Sequence, residues 1–151
     1  MIESVINTPI TLTSNDSVVA FTRDDLRTRS ANCCGFLQHE EGSPIYKILR
    51  GGIYEIDLSA TMTSATAGII ALGLYEDGVL RPATISAETI AAAGDLANVS
   101  FNKKIRVCCN SDTTLSIASV PSVNAGATGV VPTETQIPII TNAIFSISKI
   151  A

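Results

Sequence analysis

The sequence predicts an all-β domain, a sandwich or barrel of antiparallel strands, and three observations carry that prediction. About eight short runs of β-favouring residues are punctuated by turn residues, and no amphipathic helix of useful length interrupts them. The run Gly51–Thr63 alternates without a break, with Tyr54, Ile56, Leu58, Ala60 and Met62 on one face and Glu55, Asp57, Ser59 and Thr61 on the other. That is the pattern of a half-buried strand, and it places Tyr54, Ile56 and Leu58 in the core.

Along the chain, Ser4–Ile6 and Ile10–Thr13 read as short strands, followed by a turn at Ser14-Asn15-Asp16-Ser17 and a further run, Val18–Thr22. These features suggest a hairpin or edge arm, and residues 1–40 are expected to form an N-terminal attachment arm ahead of a domain spanning 41–151. The segment Arg23–Arg29 carries five charges without helical apolar spacing and reads as a solvated loop. The apolar run Ile45–Leu49 leads through Arg50-Gly51-Gly52 into the central strand.

Ala67–Tyr75 is apolar on both faces, so it is expected to be covered twice. Asp77-Gly78 between apolar runs is a strong hairpin signal because both residues tolerate positive φ. Val79–Pro82 is then the return strand, with Pro82 limiting its pairing. Ser86–Ala93 is short and ends at Gly94, which favours a strand over a turn of helix. Val99–Cys109 alternates, with Asn102-Lys103 as a candidate bulge or turn. Leu115–Val120 and Ala143–Ile150 complete the strands, and Pro121–Thr135 reads as a long irregular loop.

Composition narrows the function. The 151 residues suit one domain with a substantial core. Charged residues are only 16% and the apolar fraction is 46%, so some apolar surface is expected to meet a protein partner, most simply another copy of the chain. A net charge of −4 with scattered basic residues argues against nucleic acid as a partner. No apolar run is long enough to span a membrane, and the first residues, MIESVINTPI, lack the pattern of a signal peptide.

Catalytic chemistry is sparse. No nucleophile elbow, phosphate loop, zinc-protease helix or dinucleotide turn occurs. His39 is the one histidine, and in the polar stretch LQHEEGS it reads as solvated or hydrogen-bonded. Glu55 and Asp57 lie two apart on one strand face and form a conceivable acid–base pair, though a face meeting charged partners is the simpler reading. No catalytic residue, metal or cofactor is therefore expected.

The four cysteines, Cys33, Cys34, Cys108 and Cys109, admit a zinc site, a disulfide between the two pairs, or small buried hydrophobes. Adjacency argues against zinc, since neighbouring residues on a strand point to opposite faces.

Two motifs carry a family resemblance over about Gly42–Ala151. Gly52-Ile53-Tyr54-Glu55-Ile56 and Leu72-Gly73-Leu74-Tyr75-Glu76-Asp77-Gly78 resemble the glycine-x-tyrosine strand and the aliphatic strand with its hairpin in the trimeric jelly roll of tumour necrosis factor and the complement-type globular heads. The paired-cysteine strand and the terminal aliphatic strand also look like small phage and prophage proteins thought to be head-fibre or capsid-decoration subunits. The resemblance implies a TNF-like, antiparallel jelly-roll β-sandwich that forms a homotrimer.

It further implies a non-enzymatic virion structural protein at the particle surface, made in the host bacterial cytoplasm. Its expected partners are itself and a phage capsid or fibre protein held through the N-terminal arm. The alternative is a fibre-tip adhesin binding a host surface glycan or protein. In the family's geometry alternate residues of the glycine-x-tyrosine strand face the threefold neighbour, so Glu55 and Asp57 are expected at the trimer interface. Lys104 and Arg106, on the strand the resemblance sets alongside, are expected to meet them there.

Overall fold

A computed structural model describes residues 1–27, 35–108, 112–123 and 132–151. Cys33, Cys34 and Cys109 lie outside the described residues, and Cys108 is exposed.

The organising strand is β6, Gly52–Ser64, thirteen residues long. It sits inside a sheet, here sheet A, between β10 (Ala97–Val107) and β14 (Pro138–Lys149). Beyond β14 come β1 (Ile2–Ile6) and then β3 (Arg23–Arg27), while β2 (Ile10–Thr11) pairs with the start of β14. All these pairings are antiparallel.

Sheet B runs β4 (Leu37–His39), β5 (Tyr46–Ile48), β11 (Thr113–Ser119), β7 (Gly68–Glu76) and β8 (Val79–Leu80). The strand β9 (Ser86–Ile90) also pairs with β7. A small hairpin of β12 (Ser122–Val123) and β13 (Thr133–Glu134) stands apart. The two sheets close face to face as a jelly-roll sandwich, with the fold class as expected.

Alternation decides which face is buried. Tyr54, Ile56, Leu58, Ala60 and Met62 all point into the core between the sheets. From β14, Phe145 lies opposite Leu58 and Ile147 opposite Ile56. Phe145 is the hub of an aromatic cluster, stacked on Phe21 at 5.5 Å and edge-on to Tyr46 at 5.0 Å between ring centroids. Such pairs add about 0.5–1.5 kcal/mol beyond the area they bury.

β7 is covered on both faces, as its sequence indicates: Ile70, Leu72 and Leu74 face the core, and Ala71 on the other face is equally buried. At Gly73 an added Cβ would lie 2.7 Å from Leu80 Cδ1 and 3.0 Å from Val120 Cγ2, so the covering layer needs glycine there. The Asp77-Gly78 turn has φ of 51° and 78°, the double positive φ of a type I′ hairpin.

Four segments differ from the sequence reading. Residues 1–40 are not a separate arm: β1 is an interior strand of sheet A, Ile2 pairs with Ile147 and Ile6 with Ala143, and Val19 and Phe21 are core residues. The reason is that their partner, β14, lies at the far end of the chain, where local patterning gives no sign of it. Arg23–Arg27 is an edge strand rather than a loop, since an edge half in water accepts charges that an interior strand would not.

Asn102-Lys103 is neither bulge nor turn, because the β10–β6 register runs unbroken from Ala97 to Val107. Lys103 therefore shares the side of Phe101 and Ile105. The last strand starts earlier than expected, at Pro138, and carries a register shift between Ile140 and Asn142. The extra residue lets both Ile140 and Ala143 face the core, although they are three apart.

Candidate interaction surfaces

The outward face of sheet A is the first candidate. Its rows follow from the registers: Arg106 beside Ile53, Lys104 beside Glu55 and Ser148, Asn102 beside Asp57 and Ser146, and Ser100 beside Ser59 and Ile144. The expected interface residues Glu55, Asp57, Lys104 and Arg106 thus share one face of neighbouring strands. Among the described residues, however, no ion pair joins them within the subunit.

Asn102 intervenes. Its Nδ2 donates to Asp57 and, at 3.4 Å, to Glu55, so both carboxylates accept from an amide while Lys104 and Arg106 extend to solvent. Ile53, Ile144 and Ile150 are exposed on the same face, Ile144 by 51%. Serines 59, 100 and 146 flank Ile144 and leave a shallow groove of about 500 Å³ along it.

The second candidate is a seam between the sheets. Asp24 on β3 accepts hydrogen bonds from Ser4 on β1 and from Arg27, whose Nε lies 2.7 Å away. His39 on β4 brings Nδ1 to 2.9 Å from the same carboxylate and Nε2 to 2.9 Å from the Ser43 carbonyl, and its ring stacks on Tyr46 at 3.8 Å. Both ring nitrogens are thus engaged, and the ring is held at both ends.

Burial works to raise the Asp24 pKa, but hydrogen bonds from Ser4, His39 and Arg27 prevail and hold it below the usual aspartate value. Burial also pushes the Tyr46 phenol well above its usual range. A buried histidine and carboxylate suggest chemistry, yet here the serine and the histidine both bond to the aspartate and not to each other. The side chains of His39 and Asp24 are 0% and 4% exposed, so no substrate reaches the pair. The seam is a structural clasp, and the polar setting of His39 in the sequence gave no sign of its burial.

The third is a cavity of about 610 Å³ on the outward side of sheet B, between β9 and the β12–β13 hairpin. Ile69, Ile85, Ala87, Thr89 and Val123 line it, and Glu88 is its one carboxylate. Among the described residues no group of three or more His, Cys, Asp or Glu side chains is placed to hold a metal ion. Nor, among the described residues, is any helix long and apolar enough to cross a membrane.

The comparisons with known proteins follow the architecture. No protein-family model and no curated protein matches the sequence. Among solved structures, the globular domain of zebrafish complement 1qA is similar over 99% of this chain and 96% of its own, with a TM-score of 0.64 and 14% identity. Murine APRIL, solved at pH 5.0, is similar over 95% of this chain and 97% of its own, with a TM-score of 0.53 and 10% identity. At such identities the likeness defines the fold: a jelly roll of the tumour necrosis factor and complement-head type. With 99% of the chain covered, the likeness takes in strands β1 to β4, in keeping with their place in the sandwich.

Proposed function

We propose that the protein is a non-enzymatic, homotrimeric structural subunit of a bacteriophage virion, a capsid-decoration or head-fibre protein at the particle surface. The observation that carries self-association is the outward face of sheet A, where Ile53, Ile144 and Ile150 stand exposed among serines. Burying such a face between copies removes apolar area from water at about 25 cal/mol per Å².

Glu55, Asp57, Lys104 and Arg106 then meet across subunits, since within one subunit they do not pair. The jelly-roll likeness supports a trimer as the closed form. The virion setting rests on the resemblance of the paired-cysteine and terminal aliphatic strands to phage proteins. Attachment to the capsid or fibre is assigned to the exposed edge of β3 in place of a free arm.

Light scattering at micromolar concentration is expected to return three times the chain mass, and a monomer mass would overturn the assembly. Cryo-electron microscopy of particles incubated with the protein is expected to show density at capsid threefold positions. Density confined to fibre tips would favour the second reading, a glycan- or protein-binding adhesin. The cavity on sheet B supports that reading, because it lies on the side away from the self-association face.

A further inference from the structure

We propose that the free edge of β10 carries an oxyanion-binding groove, taking a ligand that presents closely spaced phosphate or sulfate groups. The groove is about 270 Å³ and is lined by Arg81, Lys103, Lys104, Ile105 and Arg106. Four of its five lining residues are cationic, on a chain whose net charge is −4.

The cations come from two places. Lys104 and Arg106 project from the outward side of the edge strand, while Lys103 lies on the core side in register with Ile56 and is half-buried. Arg81 approaches from sheet B, ahead of the short 3₁₀ turn Pro82–Thr84. Its backbone is fixed twice: its N–H donates to the Leu74 carbonyl at 2.9 Å, and its carbonyl accepts from buried Thr84 Oγ1 at 2.7 Å.

The carboxylates nearby neutralise only Arg81 of this cluster. Glu76 takes Nε and Nη2 of Arg81 through one oxygen, at 2.7 and 2.5 Å, which leaves Nη1 uncommitted. Glu55 and Asp57 are engaged by Asn102. No carboxylate pairs with Lys103, Lys104 or Arg106 among the described residues.

Lysines on an edge strand do protect it from pairing with other chains. That accounts for Lys104 and Arg106, but not for Lys103, which lies on the core side of the strand and lines the groove together with Arg81. Of these converging cations only Arg81 has a carboxylate partner among the described residues; the other three repel one another, and a cleft lined by one sign of charge concentrates an ion of the opposite sign. A fork-shaped guanidinium beside ammonium groups suits tetrahedral oxyanions.

Because Lys104 and Arg106 also belong to the proposed trimer face, the decisive variants are Arg81→Gln and Lys103→Gln, which lie outside it. Calorimetric titration of the intact protein with inorganic phosphate, pyrophosphate and dextran sulfate separates a free-ion site from one that reads a polymer. Pyrophosphate binding shows a free-ion site, and binding of dextran sulfate alone shows a polymer site. Either supports the groove if the Arg81→Gln/Lys103→Gln double variant weakens it by about tenfold or more and leaves the assembly mass unchanged.

Lys47→Gln, at the exposed middle residue of β5, is the control for loss of one positive charge away from the groove and is expected to leave affinity unaltered. Glu76→Gln, by releasing Arg81, is expected to tighten binding, whereas the equally charged change Glu134→Gln is not. No heat with any of the three probes, or equal loss with Lys47→Gln, would overturn the site. A monomer mass with anion binding intact would instead overturn only the trimer.

Discussion

His39 Nδ1 lies 2.9 Å from the carboxylate of Asp24, and that contact joins β4 of one sheet to β3 of the other. Ser4 and Arg27 complete the clasp, so β1, β3 and β4 are tied at one point on the open side of the sandwich. Deleting one member of a buried pair leaves its partner charged and unmatched. Asp24→Ala is expected to destabilise the fold by about 3 kcal/mol, read as a lower denaturant midpoint with an unchanged slope.

The same clasp sets an acid limit. Asp24 has a folded-state pKa below its unfolded value, so its stabilisation is fully present above the unfolded pKa of about 3.9 and is lost as pH falls through the folded value. Thermal melts from pH 6 to pH 2 are expected to drop more steeply below pH 4 in the wild type than in Asp24→Asn. Parallel curves would remove the carboxylate from this role.

The place of β1 makes truncation destructive. With Ile2, Ser4 and Ile6 buried against β14, deleting residues 1–9 strips an interior strand and strands β3 without a partner. The shortened chain is expected to lose its cooperative melt by circular dichroism. A soluble, cooperatively folded truncation would restore the attachment-arm reading.

Gly73 is tested by overpacking. Gly73→Val drives two methyl groups toward Leu80 and Val120, and the expected cost is about 1–3 kcal/mol in chemical denaturation. Gly73→Ala is expected to cost less, because the nearer obstacle is the end of a flexible leucine side chain.

The proposed interface has its own test. Arg106→Met is expected to weaken the trimer by about 3–5 kcal/mol if assembly fully buries its carboxylate partner, and less if water reaches it. The double exchange Asp57→Arg with Arg106→Asp is expected to recover part of that loss in the concentration dependence of mass. Unchanged trimer mass and melting in every variant would place these side chains in solvent.

What the sequence made legible was local. Strict alternation identified β6 and its core face, a doubly apolar run identified β7, and Asp77-Gly78 identified the hairpin between β7 and β8. What it hid was long-range or broke alternation. Arg23–Arg27 lacks apolar residues at period two, and β14 loses its period at the Ile140/Asn142 bulge. His39 reads as solvated or hydrogen-bonded, and it is hydrogen-bonded at both nitrogens; its burial stayed hidden because Asp24 lies fifteen residues away on the other sheet. Asn102-Lys103 reads as a bulge or turn in the sequence, but β10 continues through it and sets Lys103 in the groove that it shares with Arg81.

The pairing of Ile2 with Ile147 also joins the two ends of the chain within one sheet. Sheet A cannot close until β14 has slid between β1 and β6, and that step closes a loop nearly as long as the chain. Such topologies fold in milliseconds to seconds. Throughout that interval β6 waits with one hydrogen-bonding edge unfilled and an apolar face beside it, a template for any passing strand. Glu55 and Asp57 on its other face are charges of the kind that discourage such edge-to-edge pairing.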